Sequence, residues 1–259
     1  MCRALTRDPR RGLTYPPRGP DVPPAASTPG SDPALEALLA RKQVAERRIR
    51  SEPELAARVD AVRRWQARRL AATYRDLAAD PRQGPAVAFF LNDLYGAAST
   101  ERRDRELARA LKPLKRTLPA SVLELLTLAL ELDALSLELD ESLAACLSAL
   151  PIDPQGYLNA YLAADRAQDR LRQIALILEI GRRLDGIARS PLISAALRAA
   201  HLPARLAGFA VLQDFLERGY AAFYAMGSAG VLLEAIEMRE TRLHEALLRG
   251  DLTELAALT

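Results

Sequence analysis

Residues 119–150 constrain the fold most, because they carry leucine on nearly every side of a helix. The stretch reads PASVLELLTLALELDALSLELDESLAACLSAL, with no glycine and no proline after its first residue. At about 1.5 Å per residue, an uninterrupted helix of this length extends over about 45 Å. A helix that is apolar nearly all round lies in the interior of a protein, with other helices against it. The stretch therefore predicts a long central helix.

The same stretch is acidic, whereas the N-terminal part of the chain is basic. Residues 119–150 contain six acidic and no basic residues, and residues 1–80 contain 16 basic and 10 acidic residues. The net charge of the whole chain is only +3. This distribution predicts that opposite charges meet inside the molecule, at least as readily as it predicts an outside anionic partner.

The rest of the sequence is typical of further helices separated by short breaks. Leucine and alanine dominate the apolar residues, which favours helices over strands. Asp32, Asp153 and Ser190 each precede a proline, a common helix start, and Gly227 and Gly250 are expected helix ends. The sequence therefore predicts an all-α fold, a single globular bundle of about eight or nine helices around the long central leucine-rich helix.

Residues 1–32 differ in composition from everything that follows. They contain seven prolines and three glycines and few apolar residues. Such a segment cannot offset the conformational entropy that is lost on ordering. We expect a disordered tail over residues 1–32 and one helical domain over residues 33–259.

Residues 88–107, AFFLNDLYGAASTERRDREL, are either a recognition site or a well-packed helix end. Apolar residues spaced i, i+3, i+4 and i+7 form one face of a short helix, flanked by two further aromatic residues: Val87, Phe90, Leu91 and Leu94, with Phe89 and Tyr95 beside them. Gly96 stands where a left-handed residue commonly ends a helix. We interpret the stretch as a buried helix with Phe90 in the core, a glycine stop and a restart.

The charged residues after this glycine leave three interpretations open. Arg103 and Asp104 can pair across a contact between helices, Arg102 and Arg103 can meet the acidic central helix, or the group can line a pocket. Structural pairing is favoured. The candidate interaction or structural residues of the whole motif are Phe89, Phe90, Asp93, Tyr95, Gly96, Arg102, Arg103 and Asp104.

No residue pattern indicates catalysis, and neither a cofactor nor a metal is predicted. His244 follows Glu240 by four residues, a spacing that suits a metal, but a paired surface histidine is favoured. The chain has no Glu-x-x-His motif of di-iron bundles, and no nucleophile, Walker or dinucleotide-binding motif. Cys2 and Cys146 are too few for a disulfide framework, which favours the cytoplasm.

The FFLNDLYG stretch with the downstream Arg103-Asp104 resembles a family of uncharacterised bacterial helical proteins. A later stretch, PARLAGFAVLQDFLERGYAAFYAM, is also similar to that family. The resemblance covers roughly residues 50–250. It implies one helical domain and supplies no activity, cofactor or catalytic residue.

The predicted function is therefore non-catalytic: a helical domain that binds a protein partner or its own copy. One alternative is a small-ligand-binding protein or enzyme, with a pocket between the FFLNDLYG helix and the aromatic helix near residues 209–226. Another is a nucleic-acid accessory protein that uses the arginine-rich face of residues 58–69, although nucleic acid is disfavoured. No membrane segment is expected, because the uncharged residues 219–233 are short and interrupted by Gly227.

Overall fold

The computed structural model describes residues 32–94, 100–114 and 119–256, which form helices and connecting turns without a strand. The α-helices are α1 (Asp32–Ser51), α2 (Pro53–Thr73), α3 (Arg75–Ala79), α4 (Gly84–Phe89), α5 (Thr100–Leu114), α6 (Ala120–Cys146), α7 (Pro154–Ala164), α8 (Ala167–Ala188), α9 (Pro191–Leu206), α10 (Ala210–Met226), α11 (Gly230–Leu248) and α12 (Thr253–Ala256). A π-helix, Phe90–Leu94, follows α4 directly. The all-α prediction is confirmed. The described elements exceed eight or nine because α3, α4 and α12 are only 5, 6 and 4 residues long.

Helix α6 is the axis of the molecule. It packs against α1, α2, α7 and α8, and these neighbours cover several of its sides. The leucines on its buried sides are Leu130, Leu135, Leu137, Leu139 and Leu143. The prediction of a long central helix from its all-round apolar pattern is confirmed.

Every acidic residue of α6 pairs with a basic residue of a surrounding helix. The pairs are Glu124–Arg183, Glu131–Arg172, Asp133–Lys42, Glu138–Arg41, Asp140–Arg63 and Glu141–Arg48. The basic partners lie on α1, α2 and α8. The predicted meeting of opposite charges inside the molecule is confirmed, and we call these six contacts the charge collar.

Several helix ends follow the expected sequence signals. The Asp153 side chain accepts a hydrogen bond of 2.6 Å from the Gly156 amide at the start of α7. Gly227 and Gly250, which follow α10 and α11, have φ angles of 74° and 76°. Glycine adopts such positive φ angles without the penalty that a Cβ atom imposes. Ser190 precedes α9 as expected but forms no capping bond through its side chain.

The buried side chains form two main clusters on the sides of α2. In the first, the Trp65 ring stacks on Tyr157 with ring centroids 3.9 Å apart, between residues of α6, α7 and α11. The second joins the C-terminal part of α2 to α4, α8 and α11, and contains Leu70, Tyr74, Val87, Leu178 and Ile236. Helices α2 and α11 take part in both clusters.

Among the described residues, no single helix is both long and apolar enough to cross a membrane. Helices α10 and α11 reach that length and composition only when they are combined, and a bend of 100° separates them.

Candidate functional site

Phe89 ends α4 and packs tightly against α10. Its side chain is buried, and its ring centroid lies 5.2 Å from that of Phe215. A Cβ atom at Gly219 would lie 2.9 Å from Phe89 Cζ. Side chains therefore fill the space at this contact between α4 and α10, where one alternative placed a ligand pocket.

Phe90 and Leu91 are only half-buried, which corrects the prediction that Phe90 is a core residue. They pack at the edge of the second cluster, whereas the preceding Val87 and Phe89 are buried. The π-helix explains the difference, because its bonds join residues i and i+5 and shift the side chains from their positions on an α-helix. The 3.6-residue periodicity therefore overestimates the burial of Phe90 and Leu91.

Asp93 connects the π-helix to α10 and α5. Its Oδ1 accepts bonds of 3.0 and 2.6 Å from Nε and Nη2 of Arg218, and its carbonyl oxygen accepts 2.9 Å from Arg103 Nη1. Arg103 is buried, with its guanidinium 4.7 Å from the centroid of the Phe215 ring. Arg103 thus joins α5 to the π-helix and to Phe215 of α10.

Glu106 forms a contact between α5 and α10 that the sequence does not predict. This buried carboxylate accepts a bond of 2.9 Å from the Leu212 amide and one of 3.1 Å from Arg102 Nε. Leu212 lies in the first turn of α10, where amides lack partners within the helix and a negative charge is favourable. Nothing in the residues around Glu106 signals a contact 106 residues away.

Three candidate residues of the motif remain predictions. Tyr95 and Gly96 lie outside the described residues, as does the side chain of Asp104. The proposed glycine stop and the Arg103–Asp104 pair therefore stand as they were predicted.

A cavity of about 50 Å³ lies between the two buried clusters. Its walls come from α2, α7, α8, α11 and Phe90 of the π-helix. The polar residues that line it are Gln66, Arg69, Tyr74, Tyr157, Tyr161, Arg170, Gln173, Glu240 and His244. So many polar groups beside one internal space make it a candidate binding site.

An ion pair whose side chains are only 11% and 15% exposed forms one wall of the cavity. Arg69 Nη1 lies 2.6 Å from Glu240 Oε1, and the Tyr74 hydroxyl donates 2.9 Å to the same oxygen. Burial opposes the charge of Arg69, but the negative charge of Glu240 outweighs it and raises the pKa of Arg69. Burial, together with Glu240, raises the pKa of Tyr74. Arg69 therefore stays charged and Tyr74 stays neutral.

His244 is buried, which corrects the expectation of a paired surface histidine. Its Nδ1 is hydrogen-bonded to the Tyr161 hydroxyl at 2.6 Å. Burial, and then the positive charge of Arg170, lowers the pKa of His244. The imidazole is therefore neutral at pH 7. Within the described residues, no group of three or more His, Cys, Asp or Glu side chains could hold a metal ion.

Two donors at the cavity have no hydrogen-bond partner among the described residues. They are Nε of Arg69 and Nε2 of Gln66. The Gln66 amide lies close enough to Asp140 to favour a lower pKa of that carboxyl group. The geometry between the two groups is nevertheless not that of a hydrogen bond. Buried donors without a partner are rare in folded proteins, so these two atoms call for an acceptor.

The arginine-rich face of α2, on which the nucleic-acid alternative depends, is partly used by contacts within the molecule. Arg58 Nη1 donates 2.7 Å to the Leu147 carbonyl, Arg63 pairs with Asp140, and Arg69 pairs with Glu240. Of the five arginines on this face, Arg64 and Arg68 are exposed. Three of its charges therefore serve contacts within the molecule.

Helix α9 exposes an apolar face, which the sequence analysis did not single out. Leu192, Leu202 and Leu206 are 79%, 63% and 80% exposed. With the exposed Ala195 and Ala199 they recur at intervals of three and four residues, so all five lie on one side of the helix. No residue of α9 is buried, and it contacts mainly α10. We call these five residues the α9 face.

A family model described as a domain of unknown function (DUF8198) matches residues 45–254. This range agrees with the extent of about residues 50–250 that the motif resemblance implied. No curated protein and no solved structure matches the chain.

Proposed function

The chain belongs to the DUF8198 family, whose function is unknown, and from its geometry we propose that it is a non-catalytic self-association domain. The occupant of the α9 face is then a second copy of the same chain, bound through the same face. The observation that carries the proposal is the exposure of three leucines on one side of α9. Exposed apolar faces of this regularity are typical of interaction surfaces.

The α9 face is complementary to itself when two copies pair in antiparallel orientation. With Ala199 opposite its own copy, Leu192 faces Leu206, and the larger Leu202 lies within one residue of the level of the smaller Ala195. Alternation of large and small side chains across facing positions is what close packing between helices requires. A twofold arrangement of this kind is the commonest symmetry of protein oligomers.

The size and charge of the face set the expected strength of the dimer. Sixteen residues of helix extend over about 24 Å, which buries less than the roughly 800 Å² per partner of a standard interface. Arg198 adjoins Ala199, so its two copies lie near the twofold axis and repel. We expect a weak dimer, forming at about 10 µM to 1 mM, that salt strengthens by screening this repulsion.

Other features support this proposal over its alternatives. Side chains fill the contact between α4 and α10 where one alternative needs a pocket, and three arginines of α2 are engaged within the molecule. The proposal includes a cytoplasmic, bacterial setting, which the two cysteines and the resemblance favour. It requires no cofactor and no membrane.

Sedimentation velocity over that concentration range tests the proposal. Leu202→Glu should keep the chain monomeric, because it places a charge in the proposed contact. Met238→Glu is the matched control, because Met238 on α11 is also 63% exposed but lies outside the α9 face. A monomer at every concentration, or equal association of the two variants, would contradict the proposal. Association that weakens with salt would also contradict it, because the copies would then be held by opposite charges and not by the α9 face.

A further inference from the structure

We propose that the cavity between α2, α7, α8 and α11 binds a small monocarboxylate anion. The cavity has a volume of about 50 Å³. A water molecule requires about 10–15 Å³ of such space, so the cavity is large enough for an anion the size of formate or acetate. It is too small for a nucleotide or a drug-sized ligand.

The unpartnered donors supply the polar half of this site. Arg69 Nε and Gln66 Nε2 are both buried at the cavity without an acceptor, and Gln66 is only 4% exposed. Leaving buried donors without an acceptor is costly. The two oxygens of a carboxylate provide acceptors for both, and bonds from a guanidinium to a carboxylate are among the stronger hydrogen bonds in proteins.

The balance of charge favours an anion. Arg69 and Arg170 line the cavity as cations, against one carboxylate, Glu240, which already pairs with Arg69. Arg170 lies 5.6 Å from the centroid of the Tyr161 ring and donates 3.2 Å to Gln173 Oε1, a neutral acceptor.

The nearest carboxylate beyond the lining is already paired. Asp140 acts on Arg170, but it lies 3.2 Å from Arg63. His244 is neutral because burial lowers its pKa, so this residue adds no charge to the cavity. One further negative charge balances the site.

The remaining walls select for a small apolar substituent. Ile174, Ile177 and Ile236 line the cavity, and they suit the methyl group of acetate. These three side chains offer no hydrogen-bond partner, so a methyl group suits this wall better than a further oxygen does. We therefore expect acetate to bind more tightly than phosphate.

Thermal unfolding of the full chain tests the proposal with a matched pair of variants. Sodium acetate should raise the unfolding midpoint saturably relative to sodium chloride at equal ionic strength, because a ligand of the native state stabilises it. Gln66→Leu should weaken acetate binding about tenfold, the effect of losing one hydrogen bond to a charged group. Gln83→Leu should bind as the wild type does, because Gln83 is buried but does not line the cavity.

A direct measurement on the wild type covers the case in which Gln66→Leu does not fold. The methyl protons of ¹³C-labelled acetate should show nuclear Overhauser contacts to side-chain protons of Ile174, Ile177 and Ile236, which all line the cavity. If these contacts are absent, or if acetate acts no differently from chloride or equally on all variants, the cavity holds water only and the proposal is wrong.

Discussion

Phe89 and Gly219 show how one small residue can determine a contact between helices. The ring of Phe89 reaches the backbone of α10 because Gly219 has no Cβ atom in its way. The same ring packs against Phe215, whose other neighbour is the Arg103 guanidinium. A phenylalanine enclosed in this way contributes through its buried area and its ring contacts together.

We expect Phe89→Ala to lower the free energy of unfolding by about 3–4 kcal/mol, because it leaves a cavity between α4 and α10. Phe90→Ala is the matched control. It should cost only about 1–2 kcal/mol, because Phe90 is half-buried and loses less apolar contact. Urea denaturation of both variants measures the difference. A larger loss for Phe90 would restore the original assignment of Phe90 to the core.

The sequence predicts which stretches are buried but not how deeply each residue of a stretch is buried. Periodicity of 3.6 holds over α2, where Leu55, Val59, Val62 and Trp65 are buried as their spacing predicts. It fails at Phe90, because a π-helix has no sequence signature that the apolar pattern reveals. The sequence does not predict the burial of His244, because its partner, Tyr161, lies 83 residues earlier in the chain.

Helix α8 packs closely against α11 at Gly181 but has free space beside Gly186. A Cβ atom at Gly181 would clash with Leu233 Cδ2 and lie 3.3 Å from Cδ1 of the same residue. Five residues later in α8, a Cβ atom at Gly186 would meet nothing within 4 Å. Gly181 thus allows the two helices to pack, whereas Gly186 leaves space unused.

These two glycines of α8 provide a test in which the same substitution has opposite effects. Gly186→Ala should stabilise the protein by about 0.5–1 kcal/mol, because alanine is the better helix former. Gly181→Ala should destabilise it by about 1–2 kcal/mol, because overpacking against Leu233 exceeds that gain. Thermal unfolding of both variants measures the signs. If both stabilise, α8 and α11 are not as closely packed as the structure shows.

At the scale of the whole molecule, two kinds of charge contact hold the helices in place. Four of the six contacts of the charge collar were predictable, because they join the basic residues 1–80 to the acidic residues 119–150. The Arg69–Glu240 pair was not, because its partners lie 171 residues apart and Glu240 belongs to a segment in which both charges are mixed. Burial also differs: the Arg69 and Glu240 side chains are nearly inaccessible, whereas Arg172 and Glu131 of the collar are partly exposed.

This difference in burial predicts different costs for the same chemical change. Glu240→Gln should cost about 3–5 kcal/mol, because it leaves Arg69 charged and buried without its carboxylate. Glu131→Gln should cost at most about 1 kcal/mol, because solvent screens its pair with Arg172. Chemical denaturation of the two variants measures both values. Equal losses would show that Arg69 is better solvated than its burial implies.

The separation of Arg69 and Glu240 along the chain also affects folding during synthesis. Translation adds about 5–20 residues per second, so roughly 10–35 s pass between synthesis of Arg69 and synthesis of Glu240, 171 residues later. Asp140 follows Arg63 by only 77 residues, so α2 and α6 can meet well before α11 exists. During that interval the newly made chain presents a helix with an unneutralised arginine beside uncovered leucines. Partly folded chains of this kind are prone to aggregate and are the species that chaperones protect.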